Sequence, residues 1–79
     1  MQSDVNWRAP ARLCRRHGFV AYRATEIGRG DLAEMVALAL RQPEDQQAEL
    51  YVSCEAVRRK LPWPRIRELA ARADFPTFI

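Results

Sequence analysis

Residues 53–76 read SCEAVRRKLPWPRIRELAARADFP, two short amphipathic patterns separated by a proline-bounded turn that carries a tryptophan. Ser53 suits an N-cap for a helix running through Ala56, Val57 and Arg59, with Leu61 four residues beyond Val57 completing its buried edge. Pro62 and Pro64 force a break, and Pro64 fits the first turn of a second helix, where a missing donor costs nothing. On that second helix Trp63, Ile66, Leu69, Ala70 and Ala73 fall within about a third of the circumference, while Arg65, Glu68 and Arg72 take the opposite side. Asp74-Phe75-Pro76 stops it, and Phe75 and Phe78 are expected to fold back on the core. Trp63 lies on the apolar stripe, so a core role is favoured over exposure for stacking.

Working toward the amino terminus, Leu50-Tyr51-Val52 reads as a strand, preceded by a polar loop over Glu44–Gln47. Asp31 caps a helix reaching Gln42. Glu34 completes an acidic capping box, and Leu32, Met35, Val36, Ala39 and Leu40 form a helical stripe. Pro43 disfavours helical geometry at the residue before it. Phe19–Thr25 alternates with β-branched and aromatic content, predicting a strand that Gly28 and Gly30 break. A short Arg-rich helix is predicted from Ala9, with Pro10 in its first turn and Gly18 as its C-terminal cap. The expectation is one small α+β domain over 1–79: about four short helices around a two-stranded sheet, with strands near 19–25 and 49–52. A right-handed crossover would let those strands pair in parallel.

The chain of 79 residues is 48% apolar, and its aromatic residues are spread along its length, which argues for a folded globule. Its net charge of +3 is blocky: residues 1–30 carry +4, 31–50 carry −4 and 51–79 carry +3. A field with opposed faces attracts phosphate backbones or an acidic partner to its basic side. Twelve of the thirteen cations are Arg; Arg suits bidentate contacts to phosphate, and a GC-rich genome gives the same bias without function. Two distant cysteines, Cys14 and Cys54, without a signal-peptide pattern, point to thiols in a reducing cytoplasm. No apolar run approaches a membrane span.

Catalytic and cofactor chemistry finds little support. Cys14-x-x-His17 with Cys54 gives three metal ligands, one short of the usual structural zinc set, and is expected to hold none. As nucleophile and base the same pair lacks a third group and an oxyanion donor. Gly28-Arg29-Gly30 is too short for a phosphate loop, and Arg29-Gly30-Asp31 is better explained by the Asp31 cap than as an adhesion tripeptide. No catalytic residue, cofactor or small-molecule substrate is expected.

Leu50–Pro76 resembles, without gaps, the helix-turn-helix of phage excisionase and AlpA-type, MerR-like regulators. The matching positions are Leu50, Val52, Ser53, Ala56, Leu61, Ile66, Leu69, Ala70, Asp74, Phe75 and Pro76. They cover about a third of the chain and are mainly core and punctuation positions. Lys60 departs from the pattern, standing where the family's turn usually has Gly, and the β-hairpin wing expected after Pro76 is absent. The resemblance implies a C-terminal helix-turn-helix-like pair that binds DNA. The last helix would enter the major groove with Arg65, Glu68 and Arg72 on its exposed side, and Arg58, Arg59 and Lys60 would lie toward the phosphates. The implied function is that of a small non-enzymatic regulator or accessory protein. In a plainer reading these charges only solvate the helices' outer faces. A second function class is a protein-interaction module, dimerising or docking an acidic partner through Trp7, Phe75 and Phe78.

Overall fold

The computed structural model describes residues 5–17, 20–55, 57 and 59–76, without the side chains of 20–23. It is a four-stranded antiparallel sheet with three helices. In chain order the elements are β1 Pro10–His17, β2 Val20–Asp31, α1 Leu32–Leu40, α2 Glu44–Gln47, β3 Leu50–Cys54, β4 Leu61–Pro62 and α3 Trp63–Ala70. The sheet order is β2-β1-β3-β4. The α+β class therefore stands, while four helices around two strands is corrected.

The largest correction is β1, expected as a helix over residues 9–17. Ala, Leu and Arg are good helix formers, but propensity is worth only tenths of a kcal/mol per residue, and a tertiary context that supplies two ladders overrides it. β1 pairs on one side with β2, from Pro10↔Asp31 to His17↔Val20, and on the other with β3, from Ala11↔Cys54 to Arg15↔Leu50. Its alternation is visible in burial: Ala11 and Leu13 are buried, Pro10 and Arg12 exposed. Gly18, expected to cap that helix, and Phe19 lie outside the described residues. Because β1 sits between β2 and β3, the expected parallel crossover pairing is replaced by antiparallel ladders.

The helix expected over Ser53–Leu61 is also replaced. Ser53 and Cys54 pair with Arg12 and Ala11 as the end of β3, so Ser53 caps nothing. The chain turns with Val57 N–H donating to the Cys54 carbonyl at 3.0 Å. Leu61-Pro62 then pairs back onto Val52 and Tyr51. Pro62 is tolerated because a strand at the sheet's edge leaves no ladder donor missing. The expected helix-turn-helix pair is therefore not formed: only its second helix, α3, is present, entered through Pro64 in its first turn.

The glycines expected to break β2 lie within it. A Cβ at Gly28 would stand 2.7 Å from Leu38 Cδ2, and one at Gly30 3.2 Å from the Glu34 carboxyl carbon. Here α1 comes down on the strand, and glycine in a strand commonly marks such close approach. α1 begins as read: Asp31 Oδ1 accepts from Glu34 N–H at 2.8 Å, and Glu34 Oε1 accepts from Asp31 N–H at 3.3 Å. The remaining free donors of its first turn are met by the N-terminal segment, with Leu32 N–H bonding the Ala9 carbonyl and Ala33 N–H that of Trp7. Leu32, Met35, Val36 and Ala39 are buried, whereas Leu40 at the end of the stripe is exposed. The expected loop over Glu44–Gln47 is the single turn α2, which buries nothing.

Both longer helices pack on one face of the sheet. The core joins Ala11, Leu13, Leu50, Val52, Cys54 and Leu61 of the strands to Leu32, Met35, Val36 and Ala39 of α1 and to Ile66 and Leu69 of α3. Val5, Trp7, Trp63, Ala70 and Phe75 pack around its margin. Trp63 thus takes the expected core role. Ala73 is exposed because α3 ends at Ala70.

Candidate nucleic-acid interface

Antiparallel pairing sends directly opposed residues to the same side of a sheet, and alternate residues to opposite sides. Leu13↔Val52 and Ala11↔Cys54 face the helices, so Arg12↔Ser53 and Cys14↔Tyr51 face away. Arg12↔Arg29, Cys14↔Glu26 and Arg16↔Ala24 extend that second face onto β2, and Tyr51↔Pro62 extends it to β4. Among the described residues no helix covers it.

Tyr51 stands at its centre. Arg16 of β1 places its guanidinium carbon 5.3 Å from the ring centroid, and Lys60, leading into β4, its Nζ at 4.8 Å. Both lie within the range of cation–π attraction. They come from β1 and from the segment leading into β4, on either side of β3, and Tyr51 is 7% exposed. Burial, and then the neighbouring Cys14 thiol, push the Tyr51 phenol above its ordinary value, with Arg16 and Arg12 pulling the other way.

A bulge shapes the β2 side. Leu13 pairs with Gly28 and Cys14 with Glu26, so Ile27 is an extra residue. In a regular strand residues three apart face opposite sides; the extra residue puts Glu26 and Arg29 on the same one. Arg29 Nε donates to Glu26 Oε2 at 2.7 Å, and Arg12 Nη1 approaches Glu26 Oε1 at 3.8 Å. The hydrogen bond that Glu26 accepts, and then its charge, raise the Arg29 guanidinium above its already high value. Beside this bridge a cleft of about 480 Å³ opens between Arg12, Arg29, Gly30, Ser53 and Glu55. The face therefore gathers Arg12, Arg16, Arg29 and Lys60 against Glu26, with Asp31 and Glu55 at the Pro10 end.

The residues expected to touch DNA are divided. Lys60 belongs to this face, and Arg59 is exposed beside it. Arg58 lies outside the described residues. On α3, Arg65 Nη1 donates to Glu68 Oε2 at 2.9 Å, and beyond it Arg72 Nε donates to Asp74 Oδ1 at 2.8 Å, so acids of the same segment neutralise these cations. Of the residues expected to meet a partner, Trp7 and Phe75 meet each other edge to face at 5.3 Å. Trp7 also donates its indole N–H to Asp74 at 3.3 Å. Phe78 lies outside the described residues.

Cys14 lies on the open face and Cys54 on the helix face, both as free thiols, and His17 bonds the Thr25 hydroxyl. The three candidate metal ligands are thus not brought together. Among the described residues no cluster of three His, Cys, Asp or Glu side chains is placed to hold a metal ion, and no helix is long and apolar enough to cross a membrane.

Sequence reasoning missed Arg12, Arg16, Arg29, Glu26 and Tyr51. The available signal was the alternation of Ala11 and Leu13 with Arg12 and Cys14, which becomes informative once β1 is a strand. Comparison of the chain with protein-family models, with curated proteins and with solved structures finds no match.

Proposed function

We propose that this chain is a small non-enzymatic DNA-binding protein, a regulator or accessory factor, that meets the phosphate backbone with the open face of its sheet. The observation that carries the reading is the convergence of Arg12, Arg16, Arg29 and Lys60 on one face that, among the described residues, no helix covers. Phosphate contacts by clustered cations supply affinity without reading sequence. Tyr51, clad by Arg16 and Lys60, anchors those cations and is too buried to stack on bases. The resemblance of Leu50–Pro76 to DNA-binding regulators implies the same ligand class, through a helix-turn-helix that is not formed here. The docking surface differs from the one it implies, because the first helix of that pair is a strand end here and Arg65 and Arg72 each have an acid of their own, Glu68 and Asp74, whereas Arg12 and Arg29 share the single carboxylate of Glu26.

The test is a proton–nitrogen NMR titration with a short mixed-sequence duplex at low and moderate salt. Shifts at residues 12, 14, 16, 29, 51 and 60 that fade with salt support the reading. Four phosphate contacts on B-form DNA give a log–log salt slope of about −3.6, or roughly a hundredfold weakening between about 50 and 200 mM salt. Shifts confined to Arg65, Glu68 and Arg72 would move the interface to α3. No shifts at low salt, with a correlation time of a dimer, would overturn DNA binding in favour of a protein-interaction module.

A further inference from the structure

Arg12 and Arg29 are direct cross-strand partners on the open face. Like charges in that position repel and destabilise a sheet unless an anion lies between them. Glu26 is that anion, brought to them by the Ile27 bulge and reaching Arg29 at 2.7 Å and Arg12 at 3.8 Å. Both guanidiniums remain accessible from outside, with side chains 55% and 72% exposed, and the cleft beside them is large enough for a phosphate group. Two forked donors converging on one carboxylate form the arrangement that also grips a phosphate.

We propose that Arg12 and Arg29 form a phosphate subsite occupied internally by the Glu26 carboxylate, which a backbone phosphate of the bound nucleic acid displaces. The proposal rests on the open-face reading given above and adds a competitor to it. Glu26 preserves the strand pair in the free protein and opposes binding.

The test measures dissociation constants for a fluorescein-labelled mixed-sequence duplex by anisotropy, using the intact chain and its Glu26→Gln, Arg29→Ala and Glu68→Gln variants. Glu68→Gln makes the same charge change on α3. The expected result is that Glu26→Gln tightens binding about three- to fivefold, from the upper part of the usual strength of exposed ion pairs. Glu68→Gln leaves it within about twofold of the intact chain, and Arg29→Ala weakens it. Glu26→Gln should also lower the melting temperature of the free protein and enlarge the rise that duplex produces. Equal tightening by both Gln variants would make the effect one of net charge and overturn the subsite. If the intact chain binds, and Arg16→Ala weakens it, yet Glu26→Gln does not tighten, the subsite falls while the open-face reading stands. If the intact chain does not bind at low salt, the open-face reading itself falls.

Discussion

The approach of α1 to β2 at Gly28 predicts a substitution whose sign depends on a second residue. A Cβ at Gly28 would lie 2.7 Å from Leu38 Cδ2, about 1 Å inside the ordinary carbon–carbon contact. Leu38 is half-buried and can turn aside at an off-rotamer cost of about 0.5–1.5 kcal/mol. Against this, Ala narrows the unfolded ensemble and returns about 0.4–1 kcal/mol, because the Gly28 backbone lies outside the left-handed region. Gly28→Ala should therefore be neutral to about 1 kcal/mol destabilising. Leu38→Ala alone should cost about 1–2 kcal/mol, below the range of about 2–5 kcal/mol for fully buried leucines because Leu38 is half-buried. In the Leu38→Ala background, Gly28→Ala should stabilise by about 0.4–1 kcal/mol, since the obstructing methyl is gone. The coupling, about 1 kcal/mol, exceeds the 0.3–0.5 kcal/mol within which independent sites usually add. Urea denaturation followed by Trp7 and Trp63 fluorescence measures all four corners, since both indoles pack against the core. Additive effects within about 0.5 kcal/mol would refute the close contact of α1 with the strand.

Two further outcomes follow from single groups. Asp31→Ala removes the carboxylate that accepts from Glu34 N–H in the α1 capping box, leaving the Asp31 backbone N–H to Glu34, and should cost about 1 kcal/mol in urea denaturation, whereas Asp31→Asn, which still caps, should cost only a few tenths. Tyr51, raised by burial and by Cys14, should ionise above the ordinary tyrosine range when absorbance at 295 nm is followed into alkali, with Tyr51→Phe identifying its step. The unfolded chain then releases the Tyr51 proton first. Stability from this group is full below the unfolded value of about 10 and is lost as pH rises through the folded one. A Tyr51 step at or below the ordinary value would refute its burial between the cations.

What the sequence revealed was local. The capping box at Asp31 and the stripe of Leu32, Met35, Val36 and Ala39 gave α1, and Pro64 with Ile66 and Leu69 gave α3, because each is set by neighbours within a turn or two. Leu50–Val52 was legible from its β-branched and aromatic content. β1 was hidden because its state depends on two ladders made by distant segments, and its short run of Ala, Leu and Arg also satisfies a helical pattern. The helix expected after Ser53 failed for the same reason: Ser53 and Cys54 are held by Arg12 and Ala11. The open face was missed as a consequence, since Arg12, Arg16, Arg29 and Lys60 are scattered along the chain and meet only through sheet register. The Ile27 bulge, which sets the orientation of Glu26 relative to Arg29, leaves no mark in composition or periodicity.

That bulge also bears on self-association. β2 is the sheet's long outer strand, and twelve residues of exposed edge are a template on which a second chain can add. An extra residue at Ile27 breaks the regular spacing of donors and acceptors along that edge, and the charges of Glu26 and Arg29 stand beside the break. Deleting Ile27 would straighten the strand, leave Glu26 and Arg29 two positions apart on the same side, and present an even edge to other copies. The irregularity beside which Arg12 and Arg29 share a carboxylate thus also disfavours the addition of a second copy along this edge.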